Sequence, residues 1–162
     1  MFRRPNIDED SLRRALGKRF HMQGDVRIDF GPEVPGLLVF SAYEVGGRAR
    51  VTGTFDGEIH TDFDDNVPRV LRALGYGRSS GVDPGVVAGA IGMLEADPGT
   101  PFLTTFALEQ NGDGRMALPA ATTWDGHPAV AYWNVSSRLA PWRSFVVALP
   151  DGTYLVRRDT PE

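Results

Sequence analysis

The sequence predicts an α+β fold with a mainly antiparallel sheet, and three observations lead there. Only three segments carry a helical period; eight short segments alternate as strands do; and the strand–helix–strand repetition that builds a parallel sheet is absent. The expected order is α-βββ-α-α-βββββ, with the helices packed on the sheet. At 162 residues and 41% hydrophobic content, a single domain over residues 1–162 is expected, with a possible subdivision near 75–83.

The first helix is predicted over residues 7–20. Asn6 is its expected N-cap, Glu9 completes a capping box, and Lys18 and Arg19 suit the negative end of the helix dipole. Leu12, Ala15, Leu16 and Phe20 form its apolar stripe. Strands follow at 26–30, 37–44 and 48–55. A two-residue turn at Gly46 and Gly47 would pair Ala42 with Val51, Phe40 with Gly53 and Leu38 with Phe55, which puts all six on one face. A three-residue loop from Asp56 to Glu58 then aligns Phe55 with Ile59 and continues the strand to Phe63.

A helix is expected over 66–74, capped by Asp64 or Asp65 and ended by Gly75; the glycine-rich stretch 75–81 reads as a hinge. The third helix starts with Asp83 as N-cap and Pro84 at its first position and runs to about residue 96. Val87, Ala90, Ile91 and Leu94 form its core stripe. Five strands complete the chain, at 102–109, 116–121, 129–135, 144–149 and 153–157. A two-residue turn at Asp151 and Gly152 would align Phe145, Val147 and Leu149 with Tyr154 and Val156.

Composition narrows the chemistry. There is no cysteine, one lysine (Lys18) and three histidines (His21, His60, His127), which excludes thiol nucleophiles, cysteine-ligated metals and most Schiff-base chemistry. No cofactor is expected. The net charge of −4 disfavours nucleic acid. The longest apolar run, 86–94, falls well short of the ~20 residues that span a bilayer, so no membrane association is expected. Three acids stand where a secretory signal would place its apolar stretch, which leads to a cytoplasmic expectation. Sixteen arginines against one lysine suggest a bacterial coding bias.

Three groups of residues could carry function. Glu58, His60 and Asp62, with Asp64 beyond, alternate along one strand and could supply ligands to a divalent metal. Trp124, Trp133, Trp142 and Arg143 concentrate the residue types that dominate binding surfaces. Gly85, Gly89 and Gly92 bare one side of the third helix for close approach, within the chain or by self-association.

The opening order of helix, three strands and helix, over residues 7–74, resembles that of small secretion-chaperone-like and YbjN-like folds. That resemblance, together with the poverty of catalytic residues, leads to a non-enzymatic bacterial protein-binding or adaptor protein, chaperone-like and homodimeric, whose partner is another protein or itself. Two alternatives stand beside it: a small metal-dependent hydrolase using His60 and its neighbouring carboxylates, and a small-molecule carrier lined by Phe102, Phe106 and Trp133.

Overall fold

The computed structural model describes residues 7–22, 24–47, 50–78, 81–95, 105–106, 119–135 and 142–159. Its elements are α1 (Glu9–Phe20), β1 (Val26–Phe30), β2 (Leu38–Glu44), β3 (Arg50–Phe55), β4 (Ile59–His60), α2 (Phe63–Leu74), α3 (Pro84–Glu95), β5 (Thr105–Phe106), β6 (Ala120–Trp124), β7 (His127–Val135), β8 (Trp142–Ala148) and β9 (Tyr154–Asp159). The fold is α+β with antiparallel sheets throughout. No helix among the described residues is long and apolar enough to cross a membrane.

The strands form two sheets. The first has the order β1-β2-β3-β4; the second has the order β5-β7-β8-β9, with β6 also paired to β7. The β2–β3 hairpin has the register its sequence predicts, Ala42 opposite Val51, Phe40 opposite Gly53 and Leu38 opposite Phe55. Phe55 also pairs with Ile59 across the three-residue loop.

Layering follows from which faces are apolar. Leu12 and Leu16 of α1 bury completely against Phe40, Ala42, Val51 and Phe55 on one face of the first sheet. The other face of that sheet, through Val39, meets Val70 and Leu71 of α2 and Val87, Ala90 and Ile91 of α3. Val130, Tyr132, Val146 and Ala148 of the second sheet close the same cluster from the far side. The helices α2 and α3 thus lie between two sheets, and α3 is apolar around most of its circumference because it has a sheet on each side. Residues on both sides of 75–83 share this cluster.

Several boundaries differ from expectation. Asp8 rather than Asn6 caps α1, its carboxylate accepting from the Ser11 amide at 2.7 Å. Asp62 rather than Asp64 caps α2, so the helix begins at Phe63 and takes in Asn66. The strand expected to reach Phe63 ends at His60. In α3 the expectation holds: Asp83 accepts from the Gly85 amide at 2.8 Å, and Val87, Ala90 and Ile91 are completely buried. Within the glycine-rich stretch 75–81, Tyr76 is anchored. It is buried, donates to the Val146 carbonyl at 3.0 Å and accepts at its own carbonyl from the Tyr154 hydroxyl at 2.9 Å. Burial pushes the Tyr76 phenol up to about 12.

The last hairpin has a three-residue loop, not two. The Gly152 amide donates to the Leu149 carbonyl and the Leu149 amide to the Thr153 carbonyl, while Gly152 adopts φ +84. Asp151 fixes the turn by accepting from the Thr153 amide and hydroxyl. That single added residue shifts the pairing to Val147 opposite Leu155 and Val146 opposite Val156. Phe145 and Val147 therefore face away from Tyr154 and Val156. The strand expected at 102–109 is described only at Thr105–Phe106. Residues 116–118, Phe102 and Asn6 lie outside the described residues.

Candidate functional site

The structure disperses the three groups that the sequence singles out. Glu58 sits in the loop before β4 and Asp62 caps α2, so neither shares a strand face with His60. His60 Nε2 lies 3.0 Å from Asp56 Oδ1. Burial alone would raise the Asp56 carboxyl, but the Glu58 amide and the His60 ring outweigh it and hold the group below the usual range. Asp64 lies in the first turn of α2. Among the described residues no three of His, Asp or Glu converge to hold a metal.

The tryptophans divide between two faces. Trp124 opposes His127, and Trp133 opposes Arg143; the two-residue strand period carries both pairs to the outer face of the second sheet. There Trp124 tilts against Phe145 at 4.6 Å between ring centroids, and the Arg143 guanidinium lies 4.8 Å from the same ring. Trp142, opposite Asn134, points to the inner face. The glycines of α3 divide as well: Gly92 is buried inside the fold, while Gly85 and Gly89 are half-buried. Gly92 is therefore not on a surface that a second copy could reach. Of the carrier residues, Trp133 is half-buried on the outer face, and Phe102 and the Phe106 side chain lie outside the described residues.

What the fold does assemble is a buried polar cluster at one end of the second sheet. Tyr132 and Ser144 are opposite each other, Asn134 and Trp142 form the next pair, and the four share one patch of the inner face. Asn134 Nδ2 donates to Ser144 Oγ at 2.8 Å, and Ser144 donates onward to Glu95 Oε2 at 3.1 Å. Among the described residues, Glu95 Oε1, the Tyr132 hydroxyl, Asn134 Oδ1 and Trp142 Nε1 are buried without a hydrogen bond of acceptable geometry. Arg158 covers the edge, its guanidinium 5.4 Å from the Trp142 ring. Burial raises the Glu95 carboxyl above its ordinary value, against the opposing pull of Arg158 and of its Ser144 and Tyr132 neighbours. Burial, then the charge of Glu95, pushes the Tyr132 phenol well above 10.

Sequence reasoning missed Glu95 and Asn134. A signal for Glu95 was present: it is the only charged residue of α3 and stands at the C-terminal end, where the helix dipole disfavours a carboxylate.

Among the described residues the sheets also end in strands with one edge unpaired, β1 and β4 in the first and β5, β6 and β9 in the second. Gly31 donates to Val39 and Asp25 accepts from Val45, so the backbone groups of Val26, Ile28 and Phe30 face the free edge of β1. By the same phase, with Leu149 donating to Thr153, the free edge of β9 presents Tyr154, Val156 and Arg158. A groove lies near each of these two. The one at the C-terminal end of β1, in the turn to β2, holds about 370 Å³ and is lined by Ile7, Phe30, Pro32, Val34 and Leu37, with Phe30 41% exposed. That beside β9 holds about 330 Å³ between the strand and α2. No protein-family model, no curated protein and no solved structure matches this chain.

Proposed function

We propose that the protein is a non-enzymatic binding protein that captures an extended segment of a partner polypeptide, another protein or a second copy of itself, at an open sheet edge. One observation carries this reading: among the described residues each sheet ends in a strand with outward N–H and C=O groups, and at β9 those groups border a groove with apolar walls. An added strand satisfies those backbone groups, and its alternate side chains enter the groove, which is the physical basis of recognition by β-augmentation. The dispersal of Glu58, His60 and Asp62 removes support from the metal-dependent alternative. We place the protein in a bacterium on composition alone, from sixteen arginines against one lysine.

Native mass spectrometry of the untagged protein, purified gently from its own host, tests the reading. Two variants accompany the wild type, Ile28→Pro and Val156→Pro. Each removes an amide that faces a free edge, so the pairing to β2 or β8 is kept. The expected result is a dimer, or a stoichiometric complex with a second polypeptide, that one of the two variants loses while circular dichroism stays native. A bare monomer, or a monomer carrying a metal ion, would overturn it.

A further inference from the structure

We infer that β9 is the edge that docks, and that its partner is an extended segment alternating apolar and acidic residues. The inference rests on the binding reading above and narrows it to one edge and one chemistry. Three observations separate β9 from β1.

The first is occupancy of the edge. At β1 the Arg13 side chain reaches across from α1 and donates to the outward carbonyl of Val26 at 2.6 Å, and Arg27 pairs with Asp25 at 3.6 Å. A capped carbonyl and alternating charges are what blunt an edge against pairing. At β9 the outward backbone groups of Tyr154, Val156 and Arg158 have no partner among the described residues.

The second is the shape of the groove. Phe63, Val67 and Pro68 of α2 form one wall, and Tyr154 and Val156 form the other. A strand added to β9 would have the side chains opposite Tyr154 and Val156 on this inner face, where a branched apolar residue buries on both walls.

The third is charge. Arg72 lines the groove, and Arg157 and Arg158 are exposed on the strand; none of the three makes a salt bridge among the described residues. Asp64 is the one carboxylate lining the groove. Arg157 lies on the outer face opposite Phe145, so it meets the residues of an added strand that alternate with those in the groove. Acidic residues at those positions complement it. This chain is itself net negative, but β9 carries Arg157 and Arg158 against one acid, Asp159, and two copies of β9 pairing with each other would bring four arginines together with two aspartates. A foreign acidic segment therefore fits better than self-pairing.

The test uses the full chain labelled with ¹⁵N and two synthetic peptides: an acetylated, amidated octamer of alternating valine and glutamate, and its valine–lysine counterpart. The expected result is saturable binding of the glutamate peptide, with amide shifts and slowed exchange at Tyr154, Val156 and Arg158, and at least about tenfold weaker binding of the lysine peptide. Val156→Pro should abolish the interaction. Arg157→Glu, an exposed change that leaves the hairpin intact, should weaken it several-fold. Equal affinity for both peptides, or no saturable binding at millimolar peptide, would overturn the inference. Shifts centred on Ile28 and Phe30 would also overturn it while leaving the binding reading standing, because they would move capture to β1. A bare monomer from the host would remove the binding reading itself.

Discussion

Two buried asparagines, one in each half of the molecule, face opposite situations. Asn66 of α2 is 1% exposed and bonds at both ends of its side-chain amide. Its Oδ1 accepts from the Thr54 hydroxyl at 2.7 Å and from Arg69 at 2.8 Å, and its Nδ2 donates to the His60 carbonyl at 2.8 Å. That hub joins β3, β4 and α2. Asn134 of β7 is 0% exposed and among the described residues makes one side-chain bond, to Ser144, while its Oδ1 and three neighbouring polar atoms have none there. A buried polar network holds a fold together when each member is bonded and opposes it when members are left over. The first hub is therefore structural. The second carries a standing cost, of the kind that packing elsewhere in a fold must offset.

The largest effect that distinguishes the two hubs is expected from Asn66→Ala. It leaves the Thr54 hydroxyl and Arg69 without their Asn66 acceptor, takes the Asn66 donor from the His60 carbonyl and removes the link between α2 and the edge of the first sheet. A loss of about 2–4 kcal/mol is expected in urea unfolding followed by circular dichroism. Asn134→Ala, at equal burial, leaves only Ser144 short of a donor and also deletes an unbonded oxygen. Its expected cost is about half as large or less. Equal losses at the two positions would show that the hubs are equivalent and would dissolve the comparison.

How far the sequence discloses this depends on range. The β2–β3 register and the Phe55–Ile59 alignment were legible because turn length and alternation determine them within about twenty residues. Asp83 and Pro84 announced α3 for the same local reason. The β8–β9 register was not legible. A glycine at φ +84 fits a two-residue turn and a three-residue bulged loop equally well, and one residue reverses which face Tyr154 presents. The sequence places Asn66 at the start of α2, behind a cap at Asp64 or Asp65. Its true role depends on Thr54 and the His60 carbonyl, which only tertiary packing brings near. The tryptophans look like one cluster along the chain and belong to opposite faces in the sheet, a distinction set by register alone.

A smaller effect, of opposite sign, is expected at Tyr132. Its hydroxyl is buried beside Glu95 and Ser144 without a well-formed bond to either. Tyr132→Phe keeps the ring in the core and removes the group that burial penalises. Stability unchanged or raised by up to about 1 kcal/mol is expected. A loss beyond about 1 kcal/mol would mean that the hydroxyl is well bonded in solution, and the second hub would then resemble the first.

The smallest effect is a matter of pH, and it concerns Glu95. Burial raises the folded-state pKa of this carboxyl above its ordinary 4.5, despite Arg158, Ser144 and Tyr132. Between the ordinary and the raised value the folded state binds a proton that the unfolded state has released. Stability therefore falls as pH rises through that window. The favourable contribution is complete below about 4.5 and is lost once Glu95 ionises in the folded chain. Glu95→Gln keeps an acceptor for the Ser144 hydroxyl and cannot ionise, so its stability should fall less than that of the wild type over the same rise in pH. Arg158→Ala should steepen the wild-type slope, since it removes the cation that favours the ionised form. Urea midpoints measured every half unit from pH 4 to pH 8 read both. Parallel curves for the wild type and Glu95→Gln would show that Glu95 is solvated like a surface carboxylate, and the contrast between the two hubs would then rest on Asn134, Tyr132 and Trp142 alone.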